Sequence, residues 1–229
     1  YNFKILKSFA QYTESEGIKN FPIHLKIDTG MHRLGFEPKE IDELIEFLKN
    51  NKSLKVESAF SHLVASEDPA EDEFTLKQIK TFQEVTDKLQ NSLNIKFLRH
   101  ILNTSGVQRF PEYQMDMVRM GIGLYGIGID KNSPIRPVAT LKTRILQIKD
   151  LTAEDTVGYN RKGKLNKASR IAAIPIGYAD GLSRAFGNGN GYVMINGKKA
   201  PFVGNICMDV CMIDITGIEN VNEGDMVTV

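Results

Sequence analysis

The sequence is poor in cysteine, in any excess of one charge and in long apolar runs, and each shortage removes a class of function. Cys207 and Cys211 are the two cysteines in 229 residues. They form a single CxxxC with no nearby histidine, which fits neither zinc-ligand spacing nor the CxxC of redox proteins. Both are expected to be reduced residues of a strand. Lys and Arg total 29 against 28 Asp and Glu, a net charge of +1. That balance leaves no electrostatic footprint for nucleic acid or for an acidic membrane, so the expected ligand is small. No apolar run approaches a membrane span, and the opening YNFKILKSFAQYTESEG has neither the apolar core nor the cleavage site of a signal peptide. A cytoplasmic protein is expected. Internal repeats and low-complexity tracts are also missing. The chain starts without Met on a helical pattern (Phe3, Leu6, Ala10) and stops at GDMVTV in a strand pattern, so a segment of a longer protein is expected.

What is present is enough apolar residue, 41%, to build real cores. After a helix ending near Gly17, Ile23, Leu25 and Ile27 alternate with His24, Lys26 and Asp28, the period of a strand. Ile41, Leu44, Ile45 and Leu48 recur at helical spacing, and strand character returns from Leu54 to Leu63. Leu76, Ile79, Phe82, Val85 and Leu89 mark a second amphipathic helix, followed by a strand from Ile95 to Leu102. Strands alternating with helices are the grammar of a parallel sheet. Polar residues gather where each strand ends, as in a (β/α) barrel with its site at the C-terminal rim. Beyond Ser133 the pattern changes to short β-rich runs separated by turns, with Asn196-Gly197 a strong hairpin signal. The expected class is α/β, with the later part of a TIM-type barrel in residues 1–134 and an all-β domain in residues 135–229.

The stretch DMVRMGIGLYGIG, from Asp116 to Gly128, places Arg119 in an apolar, glycine-rich run. A guanidinium there needs a partner or a ligand, because an unpaired buried charge is too costly. Gly121, Gly123, Gly126 and Gly128 alternate with Ile122, Leu124, Ile127 and Ile129, which predicts a buried strand able to present amides to a phosphate. The dinucleotide fingerprint requires a helix next, and Ser133, Pro134 and Pro137 stand there instead. A salt-bridged Arg in a barrel wall is the plainer alternative. Arg33 follows a glycine turn at a strand end, where a guanidinium can meet a carboxylate. Lys26 and Asp28 share one strand face and predict a simple ion pair. His62 ends a strand and is more often packed than catalytic unless a charge such as Arg119 lies beside it. Thr104 and Ser105 close another strand with hydroxyls suited to an anion. Tyr159 in TVGYNRKGK has positive charge around it, which favours a phenolate and so a usable base. Tyr178, Met208 and Asp209 gain meaning only as members of a set.

As a set, HLKIDTGMHRLGF, FSHLVAS, NTSGVQRF, DMVRMGIGLYG, VGYN, IPIGYADG and VGNICMDVCM resemble the alanine racemase family, in the family's order and over nearly the whole chain. The resemblance implies a barrel holding pyridoxal 5'-phosphate (PLP), a β domain, and a head-to-tail homodimer in which each site is completed by the other subunit. It implies that Arg119 faces the pyridine nitrogen and that Thr104, with the backbone at Gly121 and Ile122, cradles the phosphate. His62 would link Arg119 to the catalytic tyrosine, and Tyr159 would be the base on one face of the substrate α-carbon. Arg33 would lie near the substrate carboxylate, Lys26 would be the lysine carbamylated in some members, Met208 and Asp209 would contact substrate, and Tyr178 would line the entrance. The implied reaction interconverts L- and D-alanine for peptidoglycan synthesis. One departure is large: the Schiff-base lysine of the family's KANAYGHG motif has no counterpart here, nor does a late β-domain tyrosine. These 229 residues alone are therefore expected to be inactive. A related PLP decarboxylase, which would place an acidic residue opposite the ring nitrogen, and a non-catalytic ligand-binding barrel are the other readings.

Overall fold

Helix α1 (Phe3–Ser15) leads into strand β1 (Phe21–Lys26), whose alternation puts Leu25 on the core side and His24 and Lys26 on the other. Helix α2 (Ile41–Asn50) buries the four apolar residues at its helical spacing, with Asp42 and Glu43 in its first turn and Lys49 in its last, matching the helix dipole. Strand β2 (Leu54–Phe60), helix α3 (Asp72–Leu93) and strand β3 (Leu98–His100) follow. Strands β1, β2 and β3 pair in that order, all parallel, with α2 and α3 as the crossovers. This is the βα repeat of a TIM-type barrel. Helix α3 ends where Asn94 takes a left-handed conformation, φ 52°. Its core stripe is Ile79, Phe82, Val85 and Leu89, whereas Leu76, expected on the same face, is largely exposed.

The structure, a computed structural model, describes residues 1–128 and 133–229. It divides into two units, Tyr1–Val138 and Ala139–Val229. The glycine-rich run is a correction: residues 116–128 form no strand, and Ile122–Tyr125 make a 3-10 turn. Helix α4 (Thr104–Arg109), which Thr104 and Ser105 begin rather than closing a strand, supplies the reason. The Thr104 Oγ1 accepts from the amides of Gly121 and Gly123, both at 3.1 Å, replacing a strand partner with a side chain. A Cβ on Gly123 would lie 2.7 Å from Thr104 Cγ2, so only glycine fits that approach. Ile129, the last apolar residue of that expected strand, lies outside the described residues.

The second unit is antiparallel. Its strands are β4 (Lys142–Arg144), β5 (Gln147–Leu151), β6 (Thr156–Val157), β7 (Gly163–Lys164), β8 (Ser169–Ile174), β9 (Tyr192–Ile195), β10 (Lys198–Val203), β11 (Cys211–Asp214) and β12 (Met226–Thr228). Seven of them form one sheet in the order β4-β12-β9-β10-β11-β8-β5, and β6 pairs with β7. The β9–β10 hairpin turns at Asn196 and Gly197, φ 47° and 75°, the left-handed pair that a two-residue hairpin demands. Both cysteines are free, and burial pushes the Cys211 thiol up to about 12. No helix among the described residues is long and apolar enough to cross a membrane.

Phe82 is fully buried between α3 and the sheet. Phe82→Ala is expected to lower the stability of the first unit by about 3–5 kcal/mol, measured by urea unfolding followed by circular dichroism.

Candidate active site

The loops leaving β1, β2 and β3 converge with residues 119–122. After β1 the chain folds back on itself: the Phe36 amide donates to the Lys26 carbonyl and the Asp28 amide to the Phe36 carbonyl. The Asp28 carboxylate accepts from the amides of Gly30 and His32 at 2.9 and 3.1 Å, which together with the His32 charge hold its pKa below the usual range despite burial. The ion pair expected between Asp28 and Lys26 is therefore not what fixes either residue. Lys26 Nζ lies 5.0 Å from the centre of the Phe60 ring. Its ammonium is disfavoured by burial and by the charges of Arg33 and Arg119. Arg33 sits on the exposed outer part of this loop.

Arg119 is brought to the rim because the segment before it runs beside β3. The amides of Asp116 and Arg119 donate to the carbonyls of Arg99 and Leu102. Its guanidinium then donates to the carbonyls of Ser61 at 2.5 Å, His100 at 3.1 Å and Ile101 at 3.3 Å. It also meets His100 Nδ1 at 2.5 Å and His62 Nδ1 at 3.5 Å, and lies 5.3 Å from the Phe60 ring centre. Among the described residues its partners are carbonyls and imidazoles, not the carboxylate that a salt-bridged wall residue would have, so they position the positive charge without neutralising it.

That charge sets the histidines. Burial and then Arg119 lower the pKa of His62, with Lys26 and Arg33 adding to the effect. The same two causes bring His100 down to about 4. Both imidazoles are neutral near pH 7, and each can accept a hydrogen bond from the guanidinium. Gln78, buried on α3, positions the His62 loop: its Nε2 donates to the His62 carbonyl at 3.2 Å and to Thr29 Oγ1 at 3.3 Å, while its Oε1 accepts from the Val64 amide at 3.0 Å. His62, Asn103, Thr104, Arg119, Gly121 and Ile122 line one cleft of about 370 Å³.

In the second unit the other named residues lie on loops. The amides of Tyr178 and Ala179 donate to the carbonyls of Cys207 and Met208, both at 3.0 Å, which ties the Tyr178 loop to Met208 and Asp209. The ring of Tyr178 has Arg184 5.6 Å from its centre. Tyr159, 71% exposed, follows Gly158 and precedes Asn160 and Arg161, all three with positive φ. Arg161 Nε holds this strained turn by donating to Thr156 Oγ1 at 3.1 Å. The first unit thus groups Lys26, Arg33, His62, Thr104, Arg119, Gly121 and Ile122, and the second ties the Tyr178 loop to Met208 and Asp209 and carries Tyr159 on a turn of its own. Sequence reasoning missed His100 and Gln78. His100 carried a usable signal as a histidine at a strand end, whereas Gln78 looks like any polar helix residue.

Fold and site together define a protein with a (β/α) barrel segment carrying a cationic cleft at its rim, followed by an antiparallel β unit that presents a tyrosine loop. The chain belongs to the alanine racemase family: residues 2–128 match the family model "Alanine racemase, N-terminal domain" and residues 138–229 match "Alanine racemase, C-terminal domain". It is 38% identical to an alanine racemase of Methanococcus maripaludis over its full length, covering 62% of that protein. Among solved structures it resembles alanine racemase of Clostridium difficile 630, with TM-score 0.88, 31% identity, and 100% and 60% of the two chains covered. It also resembles the Bartonella henselae enzyme, a structure described as carrying covalently bound pyridoxal phosphate, with TM-score 0.86, 30% identity, and 97% and 61% covered. The chain spans about three-fifths of the length of the curated relatives it matches.

Because His100 titrates near 6.5 when unfolded and near 4 when folded, the unfolded chain takes up a proton that the folded one refuses as pH falls through that window. Stability of the first unit is expected to drop by up to about 3 kcal/mol between pH 6.5 and 4, measured by urea unfolding across pH. Asp28, with its lowered pKa, contributes its loss only below 3.8. The slope assigned to His100 should be missing in His100→Asn.

Proposed function

We propose that the whole protein interconverts L- and D-alanine with PLP held in the rim cleft, supplying D-alanine for peptidoglycan in the cytoplasm. The observation that carries the proposal is the Arg119 guanidinium, fixed by three carbonyls and without a carboxylate partner among the described residues. The cleft suits the cofactor chemically, with a cation for the ring nitrogen and, for the phosphate, the Thr104 hydroxyl proton and the turn at Gly121 and Ile122 that Thr104 holds. When bound, PLP supplies an electron sink that acidifies the substrate α-hydrogen.

The chain's own residues then have these roles. Arg119 faces the ring nitrogen and cannot give it a proton, since a guanidinium does not deprotonate in proteins. Arg119 would thereby moderate the electron withdrawal that the cofactor supplies and so disfavour side reactions such as transamination. An acidic residue at this position would do the opposite, which sets the decarboxylase reading aside. Thr104, with the backbone at Gly121 and Ile122, holds the phosphate. Tyr159 removes or returns a proton on one face of the α-carbon in the site of the other subunit of a homodimer, and His62 links it to Arg119. Arg33 meets the substrate carboxylate. Lys26, whose pKa is lowered by burial and by the charges of Arg33 and Arg119, carries the carbamate that would hold Arg33. Met208 and Asp209 contact the substrate, and Tyr178 lines the entrance. Two-base racemisation needs a second base and a lysine for the cofactor, and the chain holds no KANAYGHG-type lysine, so these residues alone do not racemise.

The test is exchange of the α-hydrogen of each alanine enantiomer in heavy water by the whole protein with PLP. Tyr159→Phe is expected to slow exchange from L-alanine by about a hundred- to ten-thousand-fold and to affect D-alanine exchange much less. Bound PLP with no exchange from either enantiomer would contradict the proposal.

A further inference from the structure

Besides its three carbonyls, Arg119 uses a lone pair of His100. His100 Nδ1 can accept from the guanidinium only if the neutral ring carries its proton on Nε2; the other tautomer would turn an N–H toward a donor. Nε2 lies 3.3 Å from Ser58 Oγ, so its proton goes to that oxygen. Ser58 Oγ also lies 2.6 Å from His24 Nδ1. The buried Ser58 hydroxyl has one proton to place and, once His100 donates to its oxygen, His24 Nδ1 is the acceptor within reach among the described residues. The bonds then run from Arg119 to His100, from His100 to Ser58 and from Ser58 to His24. Ser58 is 1% and His100 5% exposed, so water does not substitute for these partners.

The backbone is shaped for this chain of bonds. Strands β1 and β2 pair Ile23 with Val56 and then His24 with Ser58, so the register skips Glu57. Such irregularities re-aim side chains and are rare between parallel strands. In continuous register Glu57 would face His24, and its carboxylate can only accept, which would turn the His24 Nδ1 into a donor and leave His100 Nε2 without this acceptor.

We infer that Ser58 and His24 are positioning residues for Arg119, acting through the tautomer of His100. Their consequence for the cofactor rests on the proposed function; the bonds themselves do not. The test is nitrogen NMR of the whole protein labelled at histidine and arginine, without PLP. Native His100 and His24 should each show a protonated Nε2 and a bare Nδ1. Ser58→Ala should mix the His100 tautomers and speed exchange of the Arg119 guanidinium hydrogens about tenfold. Because Ser58 is buried, His24 provides an independent arm. His24→Leu, which removes the acceptor, should have the same effect, and His24→Asn, whose carbonyl can accept from Ser58, should restore native behaviour.

A native His100 protonated on Nδ1 would overturn the inference. So would folded Ser58→Ala and His24→Leu variants with unchanged tautomer and exchange, or a His24→Asn variant that behaves like His24→Leu, since that would mark packing and not hydrogen-bond direction. No PLP binding with these signatures intact would count against the proposed function alone.

Discussion

A guanidinium held by main-chain carbonyls is the constraint on which the rest of the site depends. Carbonyls of Ser61, His100 and Ile101 lie where the second and third strands give way to loops. They can converge on one cation because parallel neighbours end side by side. An acidic partner would have secured Arg119 more strongly and cancelled its charge. Carbonyls and neutral imidazoles secure it and leave the charge available, and that same charge, with burial, keeps His62 and His100 unprotonated. Position, charge and histidine state are thus one linked arrangement.

The fold serves this arrangement at several distances. The crossover helix α3 contributes Phe82 to the core and Gln78 to the loops of Thr29 and His62, so one helix both stabilises the sheet and sets the rim. Thr104 draws residues 121–123 into a turn over the cleft. The second unit works by a different device, a sheet whose loops carry Tyr159 and Met208 on backbone that is tied down locally.

Much of this was legible in the sequence because it broke local rules. Arg119 stood out as a charge in an apolar run, Tyr159 as an aromatic among glycine and lysines, and the change from helix-strand alternation to short strands separated two kinds of architecture. What stayed hidden obeyed those rules. Ser58 and His100 occupy ordinary strand positions, and their roles arise from a skipped residue in the pairing that periodicity does not show. Alternation, the glycine run's one local signal, spells a strand, while the acceptor that bends it, Thr104, lies 17 residues from Gly121 and 19 from Gly123. The ion pair expected of Lys26 and Asp28 failed for a similar reason. Backbone amides two and four residues along reached the carboxylate first.

Under the proposed function Arg119 keeps the bound cofactor's ring nitrogen unprotonated, and the NMR signal of PLP labelled with nitrogen-15 at that position in the whole protein reads this directly. The expected shift is that of an unprotonated, hydrogen-bonded pyridine nitrogen near neutral pH, moving to the protonated range in Arg119→Glu. A protonated signal in the native protein would contradict it.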